Sequence, residues 1–381
     1  MKLAIIRQRY TPFGGAERFL ERALASLGDD GLEVTVIARE WPAGAQSAYR
    51  RVLLKPFAIG RAWRDAAFAR AACREVASGG YDLVQSHERI PCCDIFRAGD
   101  GVHREWLAQR ARRRPPLARM LDRLSPFHRR LLAAERSLYT SPRLRAVICN
   151  SRMVRDEIVG HYGVDARLLH VIPNGIDGQV FHPDLRRHRT ETRQRLGIPE
   201  DAPLFLFVGS GFERKGVDLL LDLWPRVDAD AHLVVVGRDS KMERYRQRAA
   251  ASGLAGRVHF TGPQKEMGPW YGAADVFVLP TLYDPQPNAA LEALSCGLPL
   301  LTSSKCGAAE LVTPGVNGET MDALDVAAWL AAIQAWSNPV RARAASDAAR
   351  TSVAGLTPEA LQQAFQGLYA QLLGGEAKCS S

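Results

Sequence analysis

The sequence predicts an α/β fold of two doubly wound parallel-sheet domains, and three observations lead there. Short apolar, β-branched runs alternate with longer helix-patterned stretches along the chain, as they do where parallel strands are covered by helices on both faces. A length of 381 residues exceeds what one hydrophobic core usually supports and suits two domains of roughly 150 to 200 residues each. The strand-like runs also form two sets, parted by a polar, arginine-rich stretch near Asp184 to Gln194.

In chain order the first set is Leu3 to Arg7, Glu33 to Ala38, Leu83 to Ser86, Ile95 to Ala98 and Ala146 to Cys149. The run Val-Ile-Pro-Asn-Gly-Ile-Asp (Val171 to Asp177) then breaks the pattern with Pro and Asn-Gly and begins the crossing to the second domain. The second set is Leu204 to Gly209, His232 to Gly237, Val258 to Thr261, Val276 to Leu279 and Pro299 to Thr302. These readings place the domains at residues 1–180 and 181–357, with a final helix over 358–373 expected to pack back on the first domain. The tail from Gly374 is expected to fray.

Composition bounds the chemistry. No run of about 18 apolar residues is present, and the opening Met-Lys-Leu-Ala-Ile-Ile passes directly into Arg7 and Arg9, so the chain is expected on the cytoplasmic side without spanning a membrane. Seven cysteines form no Cys-x-x-Cys pair and are expected to be reduced, with adjacent Cys92 and Cys93 lacking metal-ligand spacing. The formal charge of +9 is local, because Arg104 to Arg145 holds twelve arginines against Glu105, Asp122 and Glu135. Prolines 115, 116 and 126 divide that region into short basic amphipathic pieces suited to an anionic membrane surface. No aromatic stacking platform or familiar motif supports nucleic-acid binding.

The sharpest signal is Asp284 to Gly297, where two carboxylates, Asp284 and Glu292, flank a turn that enters a helix. Peptide N–H groups at a helix start lack intrahelical partners and carry partial positive charge, so a phosphate can settle there between side chains that accept from hydroxyls. Pro287, Asn288 and Ala289 occupy this turn, and Pro287 has no N–H to give. Val208 to Gly216 leaves the first strand of the second domain through glycines and offers Arg214 and Lys215, one able to fork onto phosphate oxygens and one a point charge. Gly14 and Gly15, after the first strand, would let backbone approach a ligand. Asp100, between two glycines after the Ile95 strand, is a further catalytic candidate, and His87 and His103 are weaker ones.

Together the Gly14-Gly15 loop, Val171 to Asp177, Arg214-Lys215-Gly216, Asp284 to Glu292 and Gly297-Leu298-Pro299 resemble the nucleotide-sugar glycosyltransferases of family 4. The resemblance implies the GT-B architecture, in which two Rossmann-like domains face a central cleft. It further implies retaining transfer with no metal and no cofactor, Glu292 holding the nucleotide ribose and Asp284, where the family usually has glutamate, contacting the donor sugar. The opening Tyr-Thr-Pro-Phe-Gly-Gly, Asp100 and the basic segment 104–145 most resemble the lipopolysaccharide-core glucosyltransferases of that family. This implies a UDP-glucose donor, a lipid-linked oligosaccharide acceptor and peripheral association with the inner membrane. A GDP-sugar enzyme acting on another membrane glycan, or a non-catalytic nucleotide-sugar binder, stays open beside it.

Overall fold

The structure is a computed structural model that describes residues 2–9, 33–41 and 49–374. It divides into two compact units, one comprising the chain up to Asn174 together with the segment from Pro358, the other Gly175–Thr357. The crossing thus falls a few residues before the expected 180. Ile176 N already donates to Leu356 O at 2.7 Å and its side chain belongs to the second core.

The first unit holds a seven-stranded sheet ordered β3-β2-β1-β4-β5-β6-β7. Its strands are β1 Lys2–Arg9, β2 Glu33–Glu40, β3 Arg50–Leu53, β4 Leu83–Ser86, β5 Ile95–Arg97, β6 Ala146–Cys149 and β7 Leu169–Val171. The second unit holds six, ordered β10-β9-β8-β11-β12-β13: β8 Leu204–Val208, β9 His232–Val236, β10 Val258–Gly262, β11 Val276–Leu279, β12 Leu300–Ser303 and β13 Gly318–Met321. Neighbours pair in parallel throughout.

Strands β3, β7 and β13 are absent from the sequence reading, and each is a sheet edge. An edge strand is covered on fewer sides, so its sequence need not be an apolar run. Arg-Arg-Val-Leu in β3 and Gly-Glu-Thr-Met in β13 show no such run.

The helix Pro358–Gly374 closes one face of the first sheet. Leu361, Phe365, Leu368, Tyr369 and Leu372 recur at helical spacing and pack with Leu3, Ile5, Leu83, Ile95, Ala146 and Ile148. Burying each large apolar side chain contributes about 1.5 to 3 kcal/mol, and the Tyr369 hydroxyl donates to Gln85 Oε1 at 2.7 Å. A separate cluster that includes Phe68, Val76, Val84, Leu138 and Ile158 forms the other core of this unit.

The basic segment forms three helices, His103–Arg113, Pro116–Leu124 and Pro126–Tyr139, broken where the prolines fall. Glu135, fully buried, fixes them to the unit. Its carboxylate accepts from His103 N at 2.6 Å, Arg104 N at 3.2 Å, Arg89 Nε at 2.9 Å and the Tyr162 hydroxyl at 2.6 Å.

One cysteine expectation is corrected. Cys73, on the helix Arg61–Ser78, and Cys92 are joined by a disulfide, while Cys93, Cys149, Cys296 and Cys306 are buried free thiols. Nineteen residues separate the bonded pair, and only the packing of that helix beside the loop after β4 brings them together.

Replacing Glu135 by Ala orphans several buried donors, among them the Arg89 guanidinium. Chemical denaturation is expected to show a loss of about 3 to 5 kcal/mol, whereas Glu135→Gln, which keeps an acceptor, should lose less.

Candidate active site

In an open parallel sheet the loops leaving neighbouring strands diverge where the strand order reverses, and ligands bind outside the carboxyl ends there. In the second unit that point lies between β8 and β11. The loop leaving β8 carries Arg214 and Lys215, and the loop leaving β11 leads to Asp284.

Backbone geometry holds the first loop. Gly211 and Gly216 adopt the left-handed region, with φ of 76° and 85°, at either end of the short helix Phe212–Lys215. A Cβ on Gly216 would lie 2.1 Å from Pro280 O, so the two loops touch through bare backbone. A Cβ on Gly209 would lie 2.5 Å from Lys215 Cδ, so that glycine leaves room for the lysine stem to fold back over the strand end. Arg214 O accepts from Leu282 N at 2.9 Å and from the Thr281 hydroxyl at 3.2 Å, which stitches the loops together.

The side chains converge on one carboxylate. Lys215 Nζ is 2.9 Å and Arg214 Nη1 3.2 Å from Asp284 Oδ2, and Arg214 Nη1 also donates to Tyr283 O at 2.7 Å. Asp284 and Lys215 are both buried. The aspartate backbone is anchored on both sides, its N–H donating to Lys305 O at 2.9 Å and its C=O accepting from Gly307 N at 2.8 Å. Two cations share one anion, so the cluster keeps a formal positive charge.

Asp284 leads by three residues to Pro287, whose C=O accepts from Ala290 N at 3.0 Å at the start of the helix Asn288–Ser295. The N–H groups of Asn288 and Ala289 precede that first bond; Asn288 is exposed and Ala289 half-buried. Glu292 sits a turn inside the helix instead of at its start. Its half-buried carboxyl meets the Tyr271 hydroxyl at 2.6 Å. Burial raises the Glu292 carboxyl above its ordinary range, against the lowering effect of the tyrosine bond, and burial beside Glu292 raises Tyr271 well above its own.

The first sheet reverses between β1 and β4. Outside their carboxyl ends lies a cavity of about 700 Å³ whose lining includes Arg7, Glu88, Arg89 and Asp100. Asp100 is exposed on the turn in which Gly101, at φ 67°, donates to Ala98 O at 3.0 Å. Gly14 and Gly15 lie outside the described residues.

Glu88 is a carboxylate that sequence reasoning passed over. It accepts from Gln8 N at 2.9 Å, and burial together with nearby Asp100 raises its pKa. Its only sequence signal is its place two residues after the β4 end. Burial and the Arg97 and Arg7 charges hold His87 well below its ordinary range, and burial beside Arg89 pushes His103, stacked on His128, down to about 3.

The family described as "Glycosyl transferases group 1" matches residues 202–338, and "Glycosyltransferase Family 4" matches residues 13–180. The lipopolysaccharide glucosyltransferase WaaG of Escherichia coli (strain K12) is 26% identical over 82% of this chain and 83% of its own. The lipopolysaccharide core biosynthesis glycosyltransferase LpsE of Rhizobium meliloti (strain 1021) is 26% identical over 94% of this chain and 96% of its own. A D-inositol 3-phosphate glycosyltransferase of Geodermatophilus obscurus is 32% identical over 71% of this chain, which spans 63% of that protein. Among solved structures, WaaG superposes with a TM-score of 0.80 at 23% identity, covering 96% of this chain and all of its own.

Because burial raises the Glu292 pKa, the folded chain holds a proton that the unfolded chain, near 4.5, has already lost, and stability falls as pH rises through that interval. Glu292→Gln keeps a partner for Tyr271 and removes the ionisation. The variant is expected to exceed the native chain in stability at about pH 8, with the difference vanishing below about pH 4; urea midpoints across that range check it.

Proposed function

Since the chain belongs to the family 4 glycosyltransferases and has their GT-B fold of two Rossmann-like units, we propose that it performs retaining, metal-independent transfer of a hexose from UDP-glucose to a lipid-linked glycan of the lipopolysaccharide inner core. The observation that carries this reading is the buried cluster in which Arg214 and Lys215 share Asp284, three residues before a helix start. Transfer breaks the bond from the sugar C1 to the diphosphate oxygen and forms one from C1 to the acceptor oxygen. Negative charge grows on the departing β-phosphate while the sugar gains oxocarbenium character.

Fixed donors aimed at that developing charge contribute several kcal/mol each in a water-poor site. Arg214, Lys215 and the Asn288 and Ala289 N–H groups supply them, which supports chemistry without a divalent ion. Asp284, held by two cations, stays available to accept from a hydroxyl of the donor sugar. Glu292 accepts from the ribose hydroxyls. The acceptor attacks from the face the diphosphate leaves, and its proton passes to the departing phosphate oxygen; Asp100 positions the acceptor hydroxyl.

Support for the donor and acceptor comes from relatives. The Anabaena protein HepE, 19% identical with a TM-score of 0.69 over 97% of this chain, is described in complex with UDP-glucose, and both WaaG and LpsE are named for lipopolysaccharide work. For a membrane-held acceptor, the helix Pro116–Leu124 offers Leu117, Met120, Leu121 and Leu124, all more than half exposed, along one face beside exposed Arg119 and Arg123. Among the described residues no helix is long and apolar enough to cross a membrane. The exposed apolar face of Pro116–Leu124 beside its arginines is what supports adsorption at the cytoplasmic membrane surface.

In chelator, a panel of UDP- and GDP-sugars with truncated lipopolysaccharide cores should yield a glucosylated product from UDP-glucose, identified by mass. Arg214→Ala or Lys215→Ala should each lower kcat by about 10² or more. Tight donor binding with neither transfer nor hydrolysis would mark a non-catalytic binder, and a strict divalent-metal requirement would refute the mechanism. Sedimentation with phosphatidylglycerol vesicles should weaken in salt and should fail for Leu121→Glu.

A further inference from the structure

The cavity of the first unit carries more positive charge than recognition of a neutral sugar requires. Arg7, Arg9, Arg39, Arg64, Arg89 and Arg130 line it, against the carboxylates of Asp65, Glu88 and Asp100. Part of that charge is already engaged. Arg89 Nε lies 2.9 Å from Glu135 and its Nη2 donates to Gly101 O at 2.9 Å, while Arg9 Nε lies 2.8 Å and Arg39 Nη2 3.8 Å from Glu40.

Arg64 and Arg130 differ. Among the described residues neither has a carboxylate in ion-pair range; Arg130 lies over the Trp63 ring at 5.3 Å, and Arg64 Nε is buried with no hydrogen-bond partner. A buried donor left unmet costs about 1 to 3 kcal/mol, and more when charged. Such a cost persists in a folded chain when a ligand offsets it. The remaining wall is suited to a sugar ring, with half-buried Phe127 and Leu131 as apolar surface and Asp100 and Glu88 as acceptors for hydroxyls.

We propose that this cavity binds a phosphate-bearing sugar of the acceptor, with Arg64 and Arg130 gripping the phosphate while Asp100 and Glu88 accept from ring hydroxyls. The inference rests on the reading that the first unit holds the acceptor, and it deepens that reading: a phosphorylating reaction must act on the acceptor before this chain does. A phosphate monoester, with close to two charges and three strong acceptor oxygens, answers an excess of guanidinium groups better than a single carboxylate does. A lipid headgroup is the less fitting source, because the exposed apolar helix Pro116–Leu124 contributes no residue to this lining.

The test uses the full chain without donor. Calorimetric titration with glucose 6-phosphate, glucose and glucuronate should show glucose 6-phosphate binding at least about tenfold tighter than the other two. The double variant Arg64→Gln/Arg130→Gln should erase that preference while its thermal unfolding midpoint shows that it is folded, and Arg130→Lys alone should retain part of it. Equal affinity for glucose and glucose 6-phosphate, a preference that survives the double variant, or a preference for glucuronate would each overturn the proposal. Competition by phosphatidylglycerol vesicles would also overturn it, in favour of a headgroup site. Loss of transfer activity with this preference intact would sink the transferase reading instead, so the two failures are distinguishable.

Discussion

Both units obey one constraint: in a parallel sheet whose strand order reverses once, the loops on either side of the reversal lead away from each other and leave the strand ends uncovered. Among the described residues, the candidate clusters of both units sit at such places. Between β8 and β11 the uncovered ends carry Arg214, Lys215 and Asp284; between β1 and β4 they carry Arg7, Glu88 and, from the next strand, Asp100. The sheets supply rigid platforms, because nearly every side chain of β8, β9, β11 and β12 is buried. The loops need only short reaches from fixed points, which is how a lysine stem and an aspartate come to meet at 2.9 Å.

Holding that meeting together has an electrostatic logic. A buried cation alone is strongly disfavoured, and one carboxylate between two cations relieves much of the desolvation without cancelling the charge. The residual charge lies beside a helix start, whose partial positive charge adds to it. Asp284 stands where the resemblance to family 4 expects a glutamate, one methylene longer. Its backbone, bridged to Cys306 and bonded to Lys305 and Gly307, sets how far the carboxylate must reach.

Much of this was legible in the sequence because buried strands and glycine-bearing turns leave strong local marks. The ten apolar runs are all strands, and Gly211 and Gly216 flag backbone that only glycine adopts without strain. What stayed illegible depends on contact between distant segments. The edge strands β3, β7 and β13 are defined by their neighbours' hydrogen bonds, not by their own pattern. Glu88 acquires its burial from the fold around it, and the Cys73–Cys92 bond depends on helix placement across nineteen residues. Asp284 and Glu292, read as a pair beside one helix start, have different surroundings: one lies among cations, the other a turn deeper against Tyr271.

The basic segment shows most plainly how a linear pattern separates in space. Its twelve arginines are one cluster in the sequence but serve several ends in the structure. Arg110 and Arg114 pair with Asp122, Arg143 pairs with Asp94, and Arg145 donates to Leu372 O on the terminal helix, so these hold the fold. Arg119 and Arg123 lie exposed on the helix that bares its leucines. Arg130 lines the cavity of the first unit. A net charge of +9 concentrated in forty-two residues therefore cannot be assigned to one partner. Surface arginines screened by salt act over about a Debye length, whereas one beside a cavity acts through direct contact. On the two readings proposed above, the same residue type would draw the chain toward an anionic surface at one place and select a phosphorylated sugar at another.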